Sequence, residues 1–355
     1  MVMRLRSNRS SILGLLIIGV IIAGTVYPIY YATVNGLLTF PNFLNPNQGN
    51  ASQQITPDRF TNVIAESNLT YSDLFANVTQ ISIYAEGDTV GLSITWGDIG
   101  NLIWKLVVKA PDSDRWFATH QNLENNNTLY FLNLEGNNIT FYFVFNKNYT
   151  HFNQIVCSTN KVGFLEIKFT PSQSNESVYL NQVTASFPTG VVEISLENST
   201  IVDTNISVQV TSVELHFKNV TIINSFRIVS NVGTIGVYGT HLRMPKDTQI
   251  KVNTGTITLA ITELSYVPSE NATHCQIVTD VGTINLNVTF SANTEAKIEA
   301  VTNLGSISYN EDTNLKIIEK KKTSLVLETS NYSEANGIKF TLSTNVGSIN
   351  LKVSK

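Results

Sequence analysis

The sequence predicts an all-β protein, a β-solenoid-like repeat array carried behind a single N-terminal transmembrane helix. Three observations carry this: a recurring glycine phrase, period-two alternation of apolar residues around it, and one long uncharged apolar run near the N-terminus. A β-sandwich of hairpins is the alternative architecture for the repeats.

Arg4, Arg6 and Arg9 precede an uncharged, mainly apolar run over 11–34. About 20 apolar residues cross a bilayer core as a helix, so this run is long enough. Arginines on the short N-terminal side, and Tyr27, Tyr30 and Tyr31 at the far end, place residues 1–10 in the cytoplasm and the bulk of the chain outside. Membrane lipid is then one partner. A cleaved secretory signal would need a shorter apolar region and a small-residue cleavage site, for which Ala23-Gly24-Thr25 is a poor match. Arg9-Ser10 followed by Ser11-Ile12-Leu13-Gly14 resembles the class III signal cut by prepilin-type peptidases, without the usual glutamate. That resemblance implies a pilin-like filament subunit as one alternative.

Pro, Asn and Gly crowd residues 35–55, which read as a linker. Thr56 as N-cap with Pro57 in the first turn predicts a short helix to about Glu66. The remainder of 56–152 is a β-rich, membrane-proximal region. Ile81, Ile83 and Ala85 alternate with polar residues, as do Leu92, Ile94 and Trp96, with turns at Asp88, Gly97-Asp98 and Gly136-Asn137-Asn138. Trp96, Trp104 and Trp116 read as core aromatics, a carbohydrate-binding face being the other possibility.

Residues 153–355 carry the repeats. Asn231-Val232-Gly233-Thr234-Ile235 returns at Asn253, Asp280, Asn303 and Asn345, each time with glycine third. Apolar residues follow each glycine at +2 and +4, as in Ile235 and Val237 or Ile284 and Leu286, which puts them on one strand face. The glycine supplies a sharp corner. Weaker copies at Gly163, Gly190, Thr211 and Thr323 extend the array, so anchors at 163, 190, 211, 233, 255, 282, 305, 323 and 347 lie 18 to 27 residues apart. Such two-strand units cannot bury an apolar face alone and must stack on neighbours. The phrase resembles the T-x-x-G-[ST]-I-x-L phrase of the toastrack-type adhesin repeat families. That resemblance implies a β-solenoid-like fold at a cell envelope and transfers no catalytic residue.

Only 14% of residues are charged and the net charge is −4, so no basic stripe points to nucleic acid. Glu319-Lys320-Lys321-Lys322 reads as a solvated loop. The five histidines, His120, His151, His216, His241 and His274, stand singly, His216 facing outward, and no spacing marks a metal or cofactor site. Cys275 occupies a core slot seven residues before Gly282, which argues against a bridge to Cys157. Glu166, Glu193 and Glu214 share the +3 position of successive units and form an outward acidic ladder, read first as solvent-facing residues and second as a cation or glycan site. Glycosylation sequons stand at Asn50, Asn68, Asn77, Asn126, Asn138, Asn148, Asn175, Asn198, Asn205, Asn219, Asn271, Asn287 and Asn331. These readings make a membrane-anchored, glycosylated surface protein that binds envelope glycans, surface proteins or itself. A polysaccharide-active enzyme on the same scaffold is the other alternative, with the acidic ladder as its carboxylates.

Overall fold

Among the described residues, fourteen strands form a single sheet in which the repeat units lie parallel and in register. The structure is a computed structural model. It describes residues 62–66, 78–100, 104–109, 116–122, 128–136, 138–173, 176–267, 273–310, 315–333 and 337–355, with side chains for 81–100, 104–106, 135 and from 138 onward. All of them belong to one compact unit, Asp58–Lys355. The expected tail, transmembrane run and linker over 1–55 lie outside the described residues. Among the described residues no helix is long and apolar enough to cross a membrane.

The strands are β1 (Asn62–Glu66), β2 (Val78–Gly97), β3 (Trp104–Lys109), β4 (Trp116–Asn122), β5 (Thr128–Gly136), β6 (Ile139–Asn146), β7 (His151–Phe169), β8 (Val178–Met244), β9 (Asp247–Tyr266), β10 (Thr273–Phe290), β11 (Ala296–Tyr309), β12 (Lys316–Lys320), β13 (Ser324–Glu328) and β14 (Ile338–Ser354). The helix expected to end near Glu66 is corrected: 62–66 is β1, paired antiparallel with β3. Asn62-Val63-Ile64-Ala65-Glu66 contains two β-branched residues, and pairing to a neighbour overrides the capping signal upstream.

The glycine anchors stack directly. Gly163 pairs with Gly190, and Gly233, Gly255, Gly282, Gly347 and Gly305 form one line across β8, β9, β10, β14 and β11. A Cβ on Gly255 would stand 1.8 Å from the carbonyl oxygen of Gly233, and one on Gly282 1.8 Å from that of Gly255. These corners have φ of 143 to 158°, where side chains are strained even given space. Thr211 takes the glycine place in its unit. Its hydroxyl donates to the Gly190 carbonyl at 2.8 Å, and its own carbonyl lies against Gly233.

A second corner follows eight residues after four of the anchors, Gly190, Thr211, Gly233 and Gly255. Asn198, Asn219, His241 and Glu263 have φ of 49 to 57°, the left-handed region that asparagine tolerates best. They too stack: Asn219 donates its amide to the Asn198 side-chain oxygen at 2.8 Å, and His241 meets Glu263. Between corners the +2 and +4 residues point inward, so Ile235, Val237, Ile257, Leu259, Ile284 and Leu286 are at most 1% exposed. Burying each such side chain contributes roughly 2 kcal/mol.

Chain order and stack order part at the C-terminal end. The last strand, β14, inserts between β10 and β11 and runs parallel to both. The anchor expected at Thr323 is corrected: β13 runs antiparallel to β11 and β12 and adds no stacked unit. The 316–328 stretch is too short for two arms and a corner, so it folds back as a hairpin. At the other end β2 continues the parallel stack on β7, and its two halves pair with β5 and β6.

Trp96 and Trp104 pack inside. Trp96 meets Phe152 and Phe169 edge-on at 5.3 and 5.4 Å, and Trp104 is buried beside Phe143. The Trp116 side chain lies outside the described residues. Cys157 and Cys275 are both buried free thiols. Cys275 stands in register between Thr248 and Phe340, a core slot, and burial pushes both thiols up, Cys157 to about 12.

Gly255→Ala is expected to cost about 3 kcal/mol, because it adds backbone strain to a collision with a neighbouring carbonyl. Gly100 has φ 65° but open space around it, so Gly100→Ala should cost only about 1 kcal/mol. Equal losses of thermal stability in the two variants would refute the stacking argument.

Candidate functional site

The outward face between the glycine corner and the left-handed corner gathers carboxylates, lysines, a histidine and a tyrosine into mutual contact. Its +3 position forms one continuous ladder. Tyr142 pairs with Ser93, Ser93 with Glu166, and Glu166 with Glu193. Glu214 holds the same offset from Thr211. Farther along, Gly236, Thr258, Asn285, Asn350 and Ser308 complete the line.

The three glutamates meet different surroundings. Glu166 is only 7% exposed: Ser93 donates to one carboxylate oxygen at 2.5 Å and Lys168 to the other at 2.5 Å. Lys168 also reaches Glu193 at 3.0 Å, so a single ammonium bridges two stacked carboxylates. Burial works to lower the Lys168 pKa, but hydrogen bonds and charge from Glu166, then Glu193, outweigh it and hold it above the usual lysine value. Burial, reinforced by the Glu166 charge, raises the Tyr142 hydroxyl. Glu214 is exposed and not part of this bridge. Its partner is His216 at 3.7 Å, an outward-facing ring. The expected solvent-facing ladder is therefore three different sites: Glu166 sequestered, Glu193 shared, Glu214 open.

The next outward positions, +5 and +7, of which only His216 stood out in the sequence, complete the surface. Tyr238 lies over Gly236, where an added Cβ would stand 2.5 Å from its ring, and its ring stacks on His216 at 5.2 Å. Lys218 pairs with Glu197 at 2.6 Å. Together with Thr170, Ser195 and Thr240 these groups line a shallow open groove of about 290 Å³. The register that aligned the glutamates also aligns Lys168, Ser195, His216 and Tyr238, which was the available signal. An aromatic pair beside an ion pair and hydroxyls suits contact with a polar, extended ligand. Among the described residues no group of three or more His, Cys, Asp or Glu could hold a metal ion.

Among the sequons, Asn138, Asn148, Asn205, Asn219, Asn287 and Asn331 are exposed and Asn198 is half-buried. Asn138, Asn198 and Asn219 sit at left-handed turns. Asn50, Asn68, Asn77, Asn126, Asn175 and Asn271 lie outside the described residues.

Lys168→Met should destabilise the protein by roughly 1–2 kcal/mol at neutral pH, a value discounted for the partial exposure of the ammonium. A base whose folded-state pKa is raised stabilises fully below its unfolded value, about 10.4, and loses that contribution as pH rises through the folded value. Wild type should therefore lose stability above about pH 10.4 more steeply than Lys168→Met does. Parallel pH–melting curves for the two proteins would refute the bridge.

No family model matches the chain, and no curated protein matches it. Among solved structures, a "putative cell adhesion protein" from Clostridium sporogenes is similar at 12% identity over 78% of this chain and 94% of that one, with a TM-score of 0.25. So loose a superposition leaves function to be argued from the chain itself.

Proposed function

We propose that this chain is a membrane-anchored, glycosylated surface protein that holds a β-solenoid outside the membrane as a structural or adhesive element. The observation that carries the reading is the in-register parallel stack. Successive units pair parallel with corners aligned, which is how a solenoid builds and how hairpins of a sandwich do not. Such a stack is stiff along its axis and offers outward ladders rather than an enclosed cleft. The arginine-flanked apolar run at 11–34 supports the anchor, with N-terminus in the cytoplasm, and the exposed sequons support an outside location. The groove around His216, Tyr238 and Lys218 is the surface through which envelope glycans or surface proteins would be held.

Full-length protein in detergent is expected to retain envelope glycans or proteins in array and pull-down experiments. Paired His216→Ala and Lys218→Ala changes, both at exposed positions, should weaken that retention about tenfold. Capture of nothing from the envelope would refute the adhesive reading, and shortened saccharides in the eluate would point to the enzymatic one.

A further inference from the structure

The two ends of the stack are finished differently. At the N-terminal end both halves of the last unit are covered, β5 by antiparallel β4 and β6 by antiparallel β3. At the C-terminal end β13 covers only the first half of β11, over 297–301. Beyond Thr302, whose amide still donates to the Thr323 carbonyl, β11 has β14 on one side and no paired strand on the other among the described residues. The core shows the same asymmetry. Ala296, Ile298 and Ala300 are fully buried under the covered half. Under the open half Ile307 and Tyr309 are only partly buried, although Ile349 and Leu351 in the adjacent unit are at 0% and 4%. Leu304 is 69% exposed, with Val301 and Val346 exposed beside it.

An uncovered strand edge is a template for another strand, and natural sheets guard such edges with lysine. The edge strand β12 follows that rule, with Lys316, Lys320, Lys321 and Lys322 on or next to it, and Lys320 also reaches the Tyr309 hydroxyl at 2.9 Å. The open segment 303–309, Asn-Leu-Gly-Ser-Ile-Ser-Tyr, carries no charge at all.

We infer that residues 303–309 are a docking edge for a second copy of this chain, paired antiparallel about a two-fold axis near Ile307. The occupant follows from the edge. A strand seated here must meet a glycine corner, small hydroxyls at 306 and 308 and an apolar inward residue at 307, and the repeat phrase is the sequence in this chain that matches these demands. Every other copy of that phrase is enclosed between two neighbours, so the unpaired phrase of a second molecule is its own 303–309. With Ile307 opposite Ile307, Ser306 faces Ser308 and Gly305 faces Tyr309, so inward residues meet inward residues and both half-open cores close. Neither edge brings a charge, and the lysine-guarded hairpins fall at opposite ends of the pair. A two-fold contact of this kind uses one patch twice.

The test uses the full-length protein in detergent. Sedimentation should give twice the chain mass for wild type and a single chain mass for Ser308→Lys. That substitution changes an exposed outward residue at the cost of one surface hydrogen bond to Asn350, and the variant keeps the β-sheet circular dichroism of wild type. Ile307→Cys should give a majority of disulfide-linked dimer under mild oxidation. Asn350→Cys, exposed one unit inward, should give none, and the native thiols are buried with raised pKa and stay out of the reaction. A monomeric wild type overturns the inference, as does a dimer that survives Ser308→Lys and is not linked at 307. A photo-crosslinker at 308 that captures residues 1–61 of its own chain overturns it too, because the chain then covers its own edge.

Discussion

Everything in this structure answers to one constraint, the direct contact of a glycine Cα with the backbone carbonyl of the unit beneath it. Separations of 1.6 to 2.0 Å between a hypothetical Cβ and that oxygen leave no room for a side chain at Gly190, Gly233, Gly255, Gly282, Gly305 or Gly347. The contact locks register. A strand displaced by one residue would bring a side chain against the corner and turn every inward residue outward. Register in turn determines which side chains become neighbours, so the chemistry of the surface is a consequence of the corner.

In-register stacking also explains the composition. Parallel strands bring like positions within about 5 Å of each other, unit after unit. Repeated carboxylates or ammoniums would repel along such a ladder, whereas amides and hydroxyls donate to and accept from their own kind. Asn350 donates to Asn285 at 2.8 Å, Ser308 to Asn350 at 2.8 Å, and Asn303 to Asn345 at 2.9 Å. Where glutamates do stack, at 166 and 193, a lysine from the neighbouring column is drawn between them. Low charge and abundant asparagine are thus what a ladder-built protein requires, and the charged mid-stack face is a departure that stability alone does not explain.

Much of this was legible in the sequence, and the failures have physical causes. The glycine anchors and their +2 and +4 residues could be read because the corner tolerates one residue type. The left-handed corner at +8 went unread because asparagine, histidine and glutamate all occupy it, held by neighbours rather than by intrinsic preference. Thr211 was read correctly as a glycine substitute from the apolar pair after it, and Thr323 wrongly on the same evidence, since alternation does not distinguish parallel stacking from a hairpin. The carboxylates of the site were legible from spacing. Their inequality was not, because Ser93, which covers Glu166, lies 73 residues away in sequence.

The order of the last three units is a separate problem, since β11 carries the same phrase as β14 and could stack on β10 in the same register. Side-chain contacts tie the units together without choosing between the two orders. Glu299 of β11 is held between Lys297 of its own strand and Lys339 of β14, at 3.1 and 3.0 Å, and Lys355, just past β14, reaches Glu295, just before β11. Burial opposes ionisation of both glutamates, yet the lysine contacts more than offset it and hold both carboxyls below their usual range. On the other flank, Asn345 of β14 donates to the Asp280 carboxylate of β10 at 3.1 Å. Were β11 to stack directly on β10 with β14 outside it, β11 and β14 would still be neighbours, and Asp280 would meet Asn303 instead of Asn345. In that order, however, β11 would lie between two parallel strands and lose its pairing with β13 over 297–301. The amide contact and the ion pairs are therefore neutral between the two orders, and the antiparallel pairing of β11 with β13 distinguishes them. The glycine register accepts either arrangement; the β12–β13 hairpin, which pairs with the outer side of β11, fits the one in which the C-terminal strand closes the array from within.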